Sequence, residues 1–111
     1  MKSVLVTGGA GFIGSNLTLE LQRRHPEAWI VVMDDFRLGD FKNLEGFKGD
    51  CIAANVAEVD FSKRFREGSF DAIFHLASIT DTTDHDQFKQ VHNNVEGFRN
   101  LLQWAEKDQI P

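Results

Sequence analysis

The sequence predicts an α/β fold built on a doubly wound parallel sheet, and three observations carry that expectation. Short apolar, β-branched runs alternate with segments of helical period; a glycine-rich turn joins the first run to the first helix; and 111 residues suffice for one hydrophobic core. Residues 3–7 (Ser-Val-Leu-Val-Thr) stop at glycine and read as a strand buried on both faces. From Phe12 the period changes: Ile13, Leu17 and Leu21 share a helical face until His25-Pro26 ends the pattern. Trp29 to Met33 gives a second strand that closes on Asp34-Asp35, and Phe36 to Asp50 is polar and loop-like. Cys51 to Ala54 reads as a third strand. Asp60 caps a short helix through Phe65, Gly68 breaks it, and Phe70 to Leu76 forms a fourth strand. From about Asp86, Phe88, Val91, Val95, Phe98, Leu102 and Ala105 recur at three- and four-residue steps. They mark one long amphipathic helix whose apolar stripe is expected to lie on the sheet.

The resulting order, β-α-β-β-α-β-α, implies right-handed crossovers with helices on both faces and the strand order 3-2-1-4. Further strands would extend such a sheet beside the fourth, so residues 1–111 read as its first half. The fourth strand would then have a long apolar edge, which favours pairing with a second copy, and a homodimer is expected on that ground.

Charge and composition narrow the function classes. Twelve Lys and Arg against 17 Asp and Glu give a net charge of −5, and no basic run offers a footprint for nucleic acid. The single cysteine, Cys51, permits neither an internal disulfide nor a cysteine metal cage. The chain shows no secretion signal or membrane span, which makes the cytoplasm the expected compartment. The chain contains no tyrosine, so chemistry that needs a phenol has to come from elsewhere.

The residues that carry chemistry follow the first strand: Thr7-Gly8-Gly9-Ala10-Gly11-Phe12-Ile13-Gly14. Gly8 suits a tight turn, Gly11 lets backbone approach a pyrophosphate without a Cβ, and Gly14 allows close packing of helix and sheet. The N–H groups that open the helix around Phe12 and Ile13 face the phosphate charge. An acid stands 34 − 14 = 20 positions past the last glycine, at a strand end, where its carboxylate can accept from ribose hydroxyls. That acid is Asp34, with Asp35 beside it. A carboxylate there repels a 2′-phosphate and favours NAD, while Arg37 and Lys42 offer charge that suits NADP. Leu76, Ala77 and Ser78 end the fourth strand, where a doubly wound sheet places ligands, and Asn94 on the last helix either reaches the same region or faces water. His75 reads as a hydrogen-bonded core residue. The 80–86 segment (Thr-Asp-Thr-Thr-Asp-His-Asp) lacks calcium-loop or zinc spacing and reads as a loop, so no metal is expected.

The Thr-Gly-x-x-Gly-x-x-Gly spacing resembles the short-chain dehydrogenase/reductase superfamily, and Gly-Gly-Ala-Gly-Phe-Ile-Gly resembles its extended, NAD-dependent epimerase/dehydratase branch. His75-Leu76-Ala77-Ser78, Asn94-Val95-Glu96-Gly97 and Asn100-Leu101-Leu102 are similar to further motifs of that branch. The 78–83 segment (Ser-Ile-Thr-Asp-Thr-Thr) resembles its heptose epimerases. The resemblance implies a Rossmann-like fold, a tightly held NAD(P), and a nucleotide-sugar substrate in the whole enzyme. It also places Asn55-Val56 against the adenine ring, with Asn55 in place of the branch's usual acid and Phe98 in place of its threonine. The catalytic Tyr-x-x-x-Lys pair the resemblance implies is not in this sequence, so the chain alone is expected to be inactive. A non-enzymatic alternative is an assembly module that dimerises through its open edge with weak or no cofactor binding.

Overall fold

The apolar runs become neighbouring strands of one sheet. In the computed structural model, which describes residues 2–36, 39–77 and 87–110 and the side chains of the last helix from Asn94 onward, there are four strands. They are β1 (Ser3–Thr7), β2 (Trp29–Asp34), β3 (Asp50–Ala53) and β4 (Ala72–His75). All pairings are parallel and the order is β3-β2-β1-β4, as the alternation predicts. The register sets Leu5 beside Val31 and Ile73, and Val6 beside Val32 and Phe74.

Because successive strand residues point to opposite faces, this register builds two cores. On one face Leu5, Val31 and Met33 join Val56, Phe61, Phe65, Phe70, Leu101 and Trp104. This face is covered by α2 (Phe61–Arg64) and α3 (Gln87–Lys107). On the other, Val4, Val6 and Ile30 pack with Leu21 of α1 (Phe12–Arg24). Near-complete burial of β1 and β2 on both faces is why they read as unbroken apolar runs. Asp60 caps α2 as expected, accepting from the Lys63 N–H at 3.2 Å.

Four details depart from the sequence reading. The strand limits move by one or two residues: β2 takes in Asp34, β3 starts at Asp50, and β4 is trimmed to Ala72–His75. The loop-like stretch contains a 3-10 turn, Phe41–Leu44, because the Asp40 carboxylate accepts from the Lys42 N–H at 2.9 Å and Leu44 is buried. In α1 the sheet-facing residues are Gly14, Ser15, Thr18 and Leu21, while Ile13 is exposed, since the first turn rests on the glycine loop with no room there for a side chain. In α3 the packed face is Gly97, Leu101 and Trp104; Val95, Phe98 and Leu102 of the apolar stripe are about half exposed. Trp104 stacks on Phe61 at 4.7 Å, and that aromatic contact sets the rotation of the helix. Among the described residues no helix is long and apolar enough to cross a membrane.

Candidate functional site

The carboxyl ends of all four strands converge, and the glycine loop lies between β1 and β4, where the strand order reverses. Gly8 turns the chain at φ +70°, and its N–H donates to the Met33 carbonyl at 2.7 Å. A Cβ here would lie 2.7 Å from backbone atoms of Leu76 and Ala77, so glycine is required both by conformation and by the approach of the β4 loop. At Gly14 a Cβ would fall inside the Gly8 carbonyl oxygen, so this glycine fits helix against loop rather than helix against sheet. Gly11 differs from both: among the described residues a Cβ there would meet only the Gly8 carbonyl, at a tolerable 3.4 Å, so none of them demands a glycine.

Gly11 also serves as the N-cap of α1 without a side-chain cap, and no acidic residue occupies the first turn. The first carbonyl bond of the helix runs from the Ser15 N–H to Gly11 at 2.8 Å. The N–H groups around Phe12 and Ile13 therefore open a positive helix end, and both side chains are largely exposed.

Asp34 is buried at the end of β2 and ties the loop in place. One carboxylate oxygen accepts from the Ala10 N–H at 2.9 Å and the other from the Phe36 N–H at 2.7 Å. The Ala10 carbonyl in turn accepts from the Asp40 N–H at 3.1 Å and the Asn43 amide at 2.9 Å. Both peptide groups of Ala10 are thus clasped by the end of β2 and the segment after it, which holds the glycine loop rigid. Asp35 and Lys42 are exposed beside this clasp.

On the β4 side, the buried Thr7 hydroxyl accepts from the N–H groups of Leu76 and Ala77 at 3.1 and 3.2 Å. With both lone pairs engaged, it donates to His75 Nδ1 at 2.7 Å, which leaves the imidazole proton on Nε2. Burial pushes the His75 pKa down from its ordinary value, in keeping with a neutral ring, and Phe98 stacks on that ring at 5.8 Å. After β3, the Asn55 side-chain oxygen accepts from the Ala57 N–H at 2.9 Å and Val56 is buried. Asn94 is half-buried on α3. Among the described residues no group of three His, Cys, Asp or Glu is placed to hold a metal.

Comparison with known proteins gives this geometry a lineage. The sequence profile of the NAD dependent epimerase/dehydratase family matches residues 4–111. This chain belongs to that family. As a family member it is 37% identical over 113 residues to an ADP-L-glycero-D-manno-heptose-6-epimerase from Alkalilimnicola ehrlichii, across 97% of the chain and 34% of the relative. The crystal structure of the Helicobacter pylori ADP-L-glycero-D-manno-heptose-6-epimerase superposes with a TM-score of 0.88 at 43% identity, covering 98% of this chain and 37% of that one. A UDP-glucose 4-epimerase from Brucella ovis, solved in complex with NAD, matches at 26% identity and TM-score 0.79, over 98% and 33% of the two chains. This epimerase/dehydratase chain therefore spans about a third of the length of those relatives.

Within the family fold, Gly8, Gly11, Gly14, Asp34, Asn55, Leu76 and Ala77 all stand at the carboxyl end of the sheet. Arg37 and Ser78 lie outside the described residues, as does the 80–86 segment. Sequence reasoning passed over Gly9, where a Cβ would strike the Val32 side chain at 2.6 Å. It also passed over the roles of Thr7, Asp40, Asn43 and Asn100. Of these, Asp40 carried a usable signal, an acid immediately before a short helical turn.

Proposed function

We propose that this chain is the NAD-binding part of a nucleotide-sugar epimerase or dehydratase. The observation that carries the reading is Gly11: the described residues leave room for a side chain there, yet a glycine stands beneath an uncapped, acid-free helix end. A pyrophosphate is the group that would need that space, with Gly8, Gly11, Gly14 and the N–H groups around Phe12 and Ile13 receiving it. The residues present fit such a ligand. Asp34 uses one acceptor site on each oxygen for the clasp, and a carboxylate has about four, which leaves capacity for two ribose hydroxyls, with Asp35 adjacent. Asn55 and Val56 take the adenine side; Leu76, Ala77 and Asn94 take the β4 side of the cofactor. The same carboxylate favours NAD over NADP, against the pull of Arg37 and Lys42.

Bound NAD would supply reversible hydride transfer at a sugar carbon. This chain's own residues bind and orient, and with no tyrosine among them the 111 residues alone turn over no nucleotide sugar. Calorimetric titration with NAD⁺, NADP⁺ and ADP-ribose at matched salt tests the proposal. Saturable binding that is tighter for NAD⁺ supports it, tighter NADP⁺ moves the ribose end to Arg37 and Lys42, and no binding by the folded chain removes it.

A second reading has its own observation. Among the described residues β4 is an outer strand and each of its four residues is only half-buried, so in this reading its edge pairs with another copy. In that reading the chain is an assembly module in which the glycine loop is structural.

A further inference from the structure

We infer that Asn100 is a positioning residue for adenine recognition, acting through the turn after β3 and not on the ligand itself; the inference rests on the NAD-binding reading above. The side-chain amide of Asn100 donates to the carbonyls of Val56 and Val59, each at 2.7 Å, and so places both of its protons on one turn more than 40 residues away in sequence. That turn is closed internally by the Asn55 carbonyl, which accepts from the N–H groups of Glu58 and Val59 at 3.0 and 3.1 Å. The Asn55 side-chain oxygen, held by the Ala57 N–H at 2.9 Å, is oriented within the same turn. Gly97, one helical turn before Asn100, brings α3 close: a Cβ there would touch Val56 at an ordinary 3.6 Å.

An amide is the side chain this junction requires. It offers two protons to two carbonyls without charge; a carboxylate would set negative charge against both, and serine has one proton to give. Ala54 ties the same segment to β2 through the Asp34 carbonyl at 3.0 Å. The turn that carries Asn55 is therefore fixed from the sheet at one end and from α3 by Asn100 at the other. Loss of the α3 anchor shifts the Asn55 oxygen, which is the acceptor that meets the adenine amino group.

The test compares NAD⁺ with nicotinamide hypoxanthine dinucleotide, in which a carbonyl replaces that amino group, by calorimetric titration of the 111-residue chain and two variants. The wild-type chain is expected to prefer NAD⁺. Asn100→Leu, similar in size and without donors, is expected to bind NAD⁺ about tenfold more weakly and to lose the preference between the two ligands. Asn100→Ser, with one donor, is expected to fall between them, and it carries the comparison if the leucine variant does not fold, as judged by circular dichroism. Equal weakening for both ligands with the preference intact would mean a merely structural role and overturn the inference while the NAD-binding reading stands. A wild-type chain that binds both ligands equally also overturns it, and one that binds neither removes both readings together.

Discussion

Gly11 and Gly14 sit three residues apart and are expected to fail in opposite ways. Gly11→Val should fold, at a cost of about 1 kcal/mol for a poorer N-cap, and lose dinucleotide binding. Gly14→Ala should destabilise the fold by about 3 kcal/mol or more, because its methyl group meets backbone that cannot yield. Thermal melts paired with NAD⁺ titrations separate the two; a Gly11→Val chain that binds as well as wild type would end the pyrophosphate assignment. Thr7→Val removes an acceptor shared by two N–H groups and is expected to cost about 2 kcal/mol, measured by urea unfolding. His75 adds a pH dependence of definite sign. Burial lowers its pKa in the folded chain below the ordinary 6.5, so the unfolded chain binds the proton more readily. Its contribution to stability is complete above about pH 6.5 and is lost as the pH falls toward the folded value. In His75→Asn, which keeps an acceptor near Thr7, the drop in Tm between about pH 7.5 and about pH 5 should shrink. An unchanged drop would remove His75 from that account.

The elements show what a sequence makes legible and what it hides. β1 and β2 are plain because burial on both faces leaves nothing but apolar side chains, whereas the half-buried ends of β3 and β4 lack a sharp limit. The glycine and Asp34 positions were readable as a spaced motif. Their clasp was not, because the Ala10 carbonyl accepts from the Asp40 backbone N–H, which any residue possesses, and from the Asn43 side-chain amide, whose partner lies 33 residues away and follows no spacing. The face of α3 was misjudged for a related reason. Its packed side includes Gly97 and Asn100, which apolar periodicity does not count, while Val95, Phe98 and Leu102 keep the period without the burial. A test of this rotation follows. Gly97 lies inside a helix with space for one methyl group, so Gly97→Ala should stabilise the chain by about 1 kcal/mol. A lowered Tm would show that α3 and the Val56 turn are closer than 3.6 Å implies.

For the whole molecule, the assembly reading predicts self-association through β4. Sedimentation velocity over a wide concentration range should show the mass doubling; one monomeric boundary throughout would leave the assembly reading without support. If NAD binding and dimerisation both occur, their order is set by how much of the site exists in the free chain, and the clasp on Ala10 bears on that. A loop whose N–H and C=O are both held, and whose residue is fully buried, has no local opening of its own. The Ala10 amide hydrogen should then exchange with deuterium as slowly as those of the central strands. Its exchange would occur only when the entire sheet comes apart, so a single loop proton would serve as a clock for global unfolding.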